Sequence, residues 1–339
     1  MGGGGSKGSK GDEKVQYDIP ILGAAQAGKS TFFKALQIAK LGGFNSDERE
    51  DWTKRMRVAL IKTVLKAAVE VEDSFDLEIK EVYEALKKEE IVPTARKHEI
   101  LDWMQLSLNL LKNDHVKGIL KKQEDAKAYD ESTVHLLSKA EIFASKDYLA
   151  TEDDILRFRW KTTDCEELTY DCDQVSLRFL DCGGQRELRE RWIQFANNEK
   201  GNVHMIIYVM ALDGYTKVLE EDKKTNCMME SIKLLKVLAN KYFKQTEICV
   251  FLNKSDLYEE VIKTKDPSSV FSKYTGGCDY DKGLEFIKSE LVNVCQPLHD
   301  KVRFHLTSAI DVNQMSNVID SLKSVFLELN VKMMTGIEY

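Results

Sequence analysis

The sequence predicts an α/β fold, a mostly parallel sheet interrupted by an inserted all-helical domain. Three features of the 339 residues carry that expectation. A strand, a glycine-bearing loop and a helical pattern follow one another from Val15 to about Leu41. Strand-like segments, joined in part by helices, resume from about Leu168. The long stretch between them shows only the helical spacing of three and four residues.

In chain order, Ile19 to Leu22 reads as the end of the first strand and Lys29 to Leu41 as the helix after it. Pro20 lies inside that strand, where it removes a ladder hydrogen bond, so a distorted strand is expected. Asp47 to Val71 reads as one amphipathic helix, with Trp52, Met56, Leu60, Val64, Ala68 and Val71 on a single stripe. Further helices are expected at Phe75 to Lys88, Ala95 to Leu111 and Glu131 to Ile142. These segments define an inserted helical domain over residues 45–155. Residues 15–44 and 156–339 form the domain that contains the sheet, and residues 1–14 are a flexible N-terminal segment. Strands near Leu168 to Cys172, Val175 to Leu180, Met205 to Ala211, Ile248 to Leu252 and Val302 to Leu306 place a site at their carboxyl ends. The first two of these are close enough in sequence to form an antiparallel hairpin. The last helix, Gln314 to about Val331, puts Met315, Val318, Leu322, Val325 and Leu329 on one stripe.

Composition narrows the class. A hydrophobic content of 43% suffices for two ordinary cores. No apolar run approaches the roughly 18 residues of a membrane span, and no secretory signal is evident. The seven cysteines are odd in number and scattered, which reads as free cytosolic thiols and not a disulfide framework. A formal charge of −7 argues against nucleic acid as the main partner.

The segment Gly23-Ala24-Ala25-Gln26-Ala27-Gly28-Lys29-Ser30 fits G-x-x-x-x-G-K-[ST] between a strand and a helix. Such a loop turns successive N–H groups inward, and the helix N-terminus adds its positive dipole end. Gln26, Ala27, Gly28, Lys29, Ser30 and Thr31 are the candidate phosphate contacts. Lys29 would reach the outer phosphates and the Ser30 hydroxyl would hold Mg²⁺.

Asn253-Lys254-Ser255-Asp256 follows the apolar run Ile248 to Leu252. A carboxylate at Asp256 can accept from both N1–H and the exocyclic amino group of guanine. Adenine offers no such pair and would leave a buried acceptor unpaired. Asn253 would support the loop and the purine edge, and the Lys254 stem would cover the ring face. Thr307-Ser308-Ala309 adds a backbone contact to the base through Ala309. A third motif, Asp181-Cys182-Gly183-Gly184-Gln185, closes the strand Val175 to Leu180. Asp181 would act on Mg²⁺ through a water, Gly184 would let its N–H approach a γ-phosphate, and Gln185 could orient the attacking water. A strand ending in a Gly-Gly turn is the plain alternative.

With these motifs, the run from Asp154 to Asp164 and Asp181-Cys182-Gly183-Gly184-Gln185-Arg186 resemble the α subunits of heterotrimeric G proteins, from about Val15 onward. The resemblance implies a P-loop GTPase (Ras-like) fold that binds GTP with Mg²⁺ and hydrolyses it slowly to GDP. It implies that Arg159 is the built-in arginine finger, Thr162 the second Mg²⁺ ligand, and Leu156 and Arg157 further nucleotide contacts. The segments from Arg157 to Asp164 and from Gly183 to Trp192 would be the switches that relax when the γ-phosphate is lost. The helical insert would act as a lid on nucleotide release. Implied partners are a βγ dimer, a seven-transmembrane receptor or other exchange factor, an RGS-type GTPase-activating protein, and an effector reached through the second switch. Read without the resemblance, the Arg159 segment is equally a solvated basic linker.

The chain departs from that family's pattern at several points. Ala25 stands where glycine is usual, with its methyl toward the space Gln185 needs, so slower hydrolysis is expected. Gln26 replaces a glutamate, Ala27 a serine and Asp164 a glycine. The segment before the loop is short for a βγ-binding helix. Met1-Gly2-Gly3-Gly4-Gly5-Ser6 fits N-myristoylation at Gly2, or equally a flexible Gly/Ser stretch. Lys7, Lys10 and Lys14 could add an electrostatic signal for the cytoplasmic face of the plasma membrane, alongside a cytosolic pool. A GTP-binding interaction module with little hydrolysis, favoured by Ala25, and a P-loop phosphotransferase are the other classes these residues allow.

Overall fold

The structure is a computed structural model describing residues 14–126, 129–160, 165–172, 175–196, 203–244, 246–295 and 301–335. Strands β1 to β6 are Val15–Leu22, Glu166–Cys172, Val175–Asp181, Met205–Ala211, Glu247–Asn253 and Val302–Leu306. Helices α1 to α5 are Lys29–Lys40, Ser46–Val69, Leu77–Lys87, Lys97–Lys112 and Asp114–Asp125. Helices α6 to α9 are Glu131–Ser138, Ala140–Phe143, Glu152–Arg157 and Glu190–Ala196. Cys227–Val237, Ser255–Ile262, Tyr280–Val294 and Val312–Thr335 complete the set as α10 to α13.

The chain divides into two compact units, residues 1–41 with 161–339, and residues 42–160. In the first, a six-stranded sheet has the order β2-β3-β1-β4-β5-β6. The β2/β3 pair is antiparallel and the other pairings are parallel. Strands β4 and β5 are near-continuous apolar runs because both faces of a central parallel sheet are covered, and β1 is buried from Tyr17 to Leu22 with Asp18 paired to Arg178. Their carboxyl ends deliver Leu22, Ala211 and Asn253 to one edge of the sheet, where ligands bind in such folds. One face packs Leu22, Tyr208, Met210, Leu235 and Ile287 into a buried cluster.

Pro20 does not distort β1, contrary to the expectation from sequence. The strand runs unbroken, with Pro20 opposite Leu180 of β3. The β1/β4 ladder is confined to Ile21 and Leu22, directly after the proline, so the missing donor falls where that ladder has yet to begin. On α13 the stripe also differs. Met315, Val318 and Leu322 are buried as expected, but Ile319 and Phe326 are buried with them and Val325 is only half-buried. The aromatic ring of Phe326 packs beside Tyr17 at a centroid distance of 5.1 Å.

The second unit is all helical. Asn45 caps α2 by accepting from the Glu48 N–H at 3.0 Å, while Glu48 accepts from the Asn45 N–H at 2.8 Å. Met56, Leu60, Val64 and Ala68 of α2 are fully buried against α4, α5 and the segments after them. Helix α5 was not expected from sequence, because Val116 and Leu120 give it too few apolar positions. Phe44 and Trp160 pack against this core and Phe158 is buried in it, which sets the edges of the unit at 42 and 160, not at 45 and 155. Among the described residues, no helix is long and apolar enough to cross a membrane.

Candidate functional site

The loop after β1 is shaped by residues in left-handed conformations. Gly28 has φ 99° and Gln26 has φ 65°. A Cβ on Gly28 would lie 2.1 Å from Asn253 Nδ2, so the position combines a left-handed backbone with a close approach that only glycine meets. Lys29, the first residue of α1, folds back over the loop. Its ammonium donates to the Gly23 and Ala24 carbonyls at 3.0 and 2.9 Å. Burial pulls its pKa down to about 8, against the opposing pull of the Asp181 carboxylate. Ser30 and Thr31 are half-buried on the first turn of α1.

Asn253 ties the site together. Its Nδ2 donates to the Ala27 carbonyl at 3.0 Å, and its Oδ1 accepts from the Ala309 N–H at 3.0 Å and the Thr307 hydroxyl at 3.3 Å. The phosphate loop, the Asn253 to Asp256 turn and the Thr307 to Ala309 turn are thereby one hydrogen-bonded assembly. Asp256 Oδ1 is buried and has no hydrogen-bond partner. An uncompensated buried carboxylate oxygen is costly, and a ligand donor relieves it. Lys254 stands in the left-handed region at φ 61°. A depression beside the loop is lined by Ala25, Gln26, Asp213, Lys217 and Lys254 among others.

Asp181 closes β3 and is fully buried. Neither oxygen makes a hydrogen bond of good geometry. Burial pushes its pKa up, partly offset first by the Lys29 ammonium and then by the Ser30 hydroxyl. A buried carboxylate beside a serine hydroxyl is an oxygen donor set of the kind Mg²⁺ takes. Gly184 is packed against the phosphate loop. A Cβ there would meet Lys29 Nζ at 2.3 Å and the Gly23 and Ala24 carbonyls at 2.6 and 2.7 Å. Gln185 follows half-buried, its carbonyl accepting from the Leu188 N–H.

Leu156, Arg157 and Arg159 fall in the helical unit. Leu156 is buried, and Arg157 pairs with Asp153 at 2.8 Å. The Arg159 N–H donates to Ser132 Oγ at 2.8 Å and its guanidinium lies 3.2 Å from Asp130. Thr162 and Gly2 lie outside the described residues.

Two arrangements escaped the sequence reading. Arg189 donates to the Gly184 carbonyl at 3.1 Å and pairs with Glu230 at 2.6 Å, so α10 braces the Gly184 segment. In the helical unit, fully buried Asp154 accepts from Lys139 at 2.6 Å, from the Thr151 N–H at 2.9 Å and from Tyr148, and it pairs with His135 at 2.8 Å. Burial opposes its ionisation, but the donors from Lys139, Tyr148 and Thr151 hold it well below the usual carboxylate range. Asp153 joins His135 and Asp154 in a metal-like grouping, but the oxygens of Asp154 are already taken, and the grouping is structural. The Arg189–Glu230 pair spans 41 residues, and the Asp154 donors come from three neighbouring segments that only the packed helices bring to one carboxylate.

A glycine-bearing loop on a strand–helix turn, stitched to a base-recognition turn at the carboxyl ends of a parallel sheet, defines a P-loop protein that binds guanine nucleotides. The family model described as G-protein alpha subunit matches residues 6–326. The chain is 32% identical over 320 residues to the guanine nucleotide-binding protein alpha-16 subunit of Caenorhabditis briggsae, covering 92% of this chain and 88% of that one. It is 31% identical over 322 residues to the G(o) subunit alpha of Lymnaea stagnalis, with the same coverage. Against the alpha-1 subunit of Mycosarcoma maydis it is 26% identical over 325 residues, 94% of this chain and 90% of the other. The chain belongs to the G-protein alpha subunit family. It is a GTPase and a guanine-nucleotide-dependent signalling switch, with the P-loop GTPase fold.

Proposed function

We propose that this protein relays signals from a membrane receptor, binding GTP with Mg²⁺ and hydrolysing it by in-line attack of water on the γ-phosphate. The observation that carries the reading is the Asn253 side chain, which builds the phosphate loop and the two base-recognition turns into a single assembly. Lys29 turns from the loop carbonyls to the outer phosphates. Gln26, Ala27, Gly28, Ser30 and Thr31 present N–H groups, and Asp256 accepts from guanine while Lys254 and Ala309 contact the base. Leu156 and Arg157 are further nucleotide contacts in this reading. Ser30 and Thr162 would hold Mg²⁺ directly and Asp181 through a water, and the ion supplies charge neutralisation to the phosphates. Gln185 aligns the water and Arg159 stabilises the charge that develops in the transition state.

Loss of the γ-phosphate releases Thr162 and Gly184, so the two switch segments relax. Partners that fit this cycle are a βγ dimer, a seven-transmembrane receptor or other exchange factor, an RGS-type activating protein and an effector at the second switch. Gly2 myristoylation with Lys7, Lys10 and Lys14 would hold the protein at the cytoplasmic face of the plasma membrane. Family membership supports the heterotrimeric partners.

The test is single-turnover hydrolysis of preloaded GTP, started with Mg²⁺. Gln185→Leu and Arg159→Ala should each lower the rate by about 10²–10³-fold with GTP still bound. Rates that neither substitution moves would remove both residues from the chemistry.

A further inference from the structure

Strands β2 and β3 bring two cysteines together at the mouth of the site. The antiparallel register pairs Glu166 with Asp181, and one step further it sets Cys165 opposite Cys182. Their sulfurs are 3.5 Å apart. Cys165 is exposed, whereas Cys182 is buried beneath it. Directly opposed residues on antiparallel strands have Cα atoms about 4.5–5.5 Å apart. A disulfide needs a Cα separation of about 4.4–6.8 Å and an S–S bond of about 2.05 Å. Side-chain rotation can therefore close the remaining gap with little movement of the strands. Cys172, at the other end of β2, faces Val175 in that register.

We propose that Cys165 and Cys182 form a reversible, peroxide-driven disulfide that clamps the switch region. Position gives the bond its consequence. Cys165 follows in sequence the segment carrying Thr162, and Cys182 lies between Asp181 and Gly183-Gly184-Gln185. A covalent tie at this point joins the roots of both switch segments, so neither can relax independently of the other. This regulatory consequence rests on the switch reading above; the bond itself does not.

The chemistry balances with hydrogen peroxide as oxidant. The exposed Cys165 sulfur, having given up its proton, attacks one peroxide oxygen. An S–O bond forms, the O–O bond breaks, and the departing hydroxide takes up that proton as water. Cys182 sulfur then attacks the Cys165 sulfenic sulfur, and its proton passes to the departing hydroxide. The S–S bond forms, the S–O bond breaks, and a second water leaves. Two thiols lose two electrons together, and one peroxide becomes two waters. Burial suits Cys182 to the second step, since peroxide reaches the exposed thiol first.

The full-length protein should be treated with hydrogen peroxide, digested without reductant and mapped by mass spectrometry. The expected product is a linked pair of peptides carrying Cys165 and Cys182, lighter than their sum by two hydrogens and lost on dithiothreitol treatment. Cys165→Ser and Cys182→Ser should each abolish it. A Cys165 that ends as a dimedone-trapped sulfenic acid while Cys182 stays a free thiol overturns the bond, as does linkage to any other cysteine. In parallel, the tryptophan fluorescence change between GDP and a non-hydrolysable GTP analogue should shrink in the oxidised protein and recover with dithiothreitol. A linked protein whose response is unchanged overturns the clamp. A reduced protein that binds no GTP overturns the functional reading and leaves the mapped bond standing.

Discussion

The carboxamide of Asn253 donates to the Ala27 carbonyl at 3.0 Å across 226 residues of sequence. The same side chain accepts from the Ala309 N–H, so each of its two ends fixes a different loop. Asn253 is almost wholly buried, and no solvent is at hand to replace a lost bond. The shape of the phosphate loop thus depends on a residue of the base-recognition motif.

Asn253→Asp keeps the acceptor and loses the donor, turning a carboxylate oxygen toward the Ala27 carbonyl. A buried carbonyl left unpaired costs about 1–3 kcal/mol, and the new charge adds to that. GTP affinity should fall by about 10- to 100-fold, with a lower thermal midpoint even without nucleotide. Titration with a fluorescent GTP analogue reads the first effect. An unaltered Kd would mean that the loop holds its shape without this bond.

Asp256 is the test of base identity. Its buried Oδ1 lacks a partner within the protein, which leaves it available to a ligand donor. Asp256→Ala removes the acceptor for two guanine donors, each charge-assisted bond being worth about 1.5–3 kcal/mol. The preference for GTP over ATP should collapse by about 10²–10⁴-fold, seen by competition with both nucleotides. Retained discrimination would place base recognition elsewhere.

Local motifs made much of this legible in advance. The strand before Gly23, the helix after Gly28 and the apolar run ending at Asn253 announce themselves by composition, because both faces of β1 and β5 are buried. The insert was visible through the stripe of α2. What the sequence concealed are side-chain relationships that only tertiary packing creates. Arg189 meets Glu230 only because α10 packs beside the turn after β3, and Asp154 gathers Lys139 and Tyr148 only once the helical core has closed. Helix α5 was missed because capping by Asn113, which accepts from the His115 and Val116 N–H groups, supports a segment with little apolar periodicity. Pro20 misled because the rule against strand proline takes no account of where each neighbouring ladder starts.

The Asp154 network gives the helical unit a pH signature. Its carboxyl is held below the unfolded value, so the native state binds fewer protons than the unfolded chain once pH drops below about 4. The stabilisation is therefore complete above that value and is lost as pH falls through the folded pKa. Asp154→Asn should lower stability at neutral pH by about 1–3 kcal/mol, because the buried bonds from Tyr148 and Thr151 lose their charged acceptor. The thermal midpoint of the variant should also fall less steeply than that of the parent between about pH 5 and pH 3. Parallel curves would assign the acid sensitivity to other carboxylates.

Ala25 bears on rate. The Ala24 carbonyl lies 2.7 Å from the point a Gly184 Cβ would occupy, so the phosphate loop and the segment leading to Gln185 are in contact. We propose that the methyl of Ala25, the next loop residue, crowds the space from which Gln185 addresses a water. Displacing an attacking group by about 1 Å can slow a reaction by about 10²-fold, and Ala25→Gly should recover part of such a loss. Single-turnover hydrolysis of preloaded GTP measures it directly. The same comparison in a Gln185→Leu background should show no gain, because the methyl acts only by obstructing that side chain. A gain that persists without Gln185 would instead locate the effect of Ala25 in the phosphate loop itself.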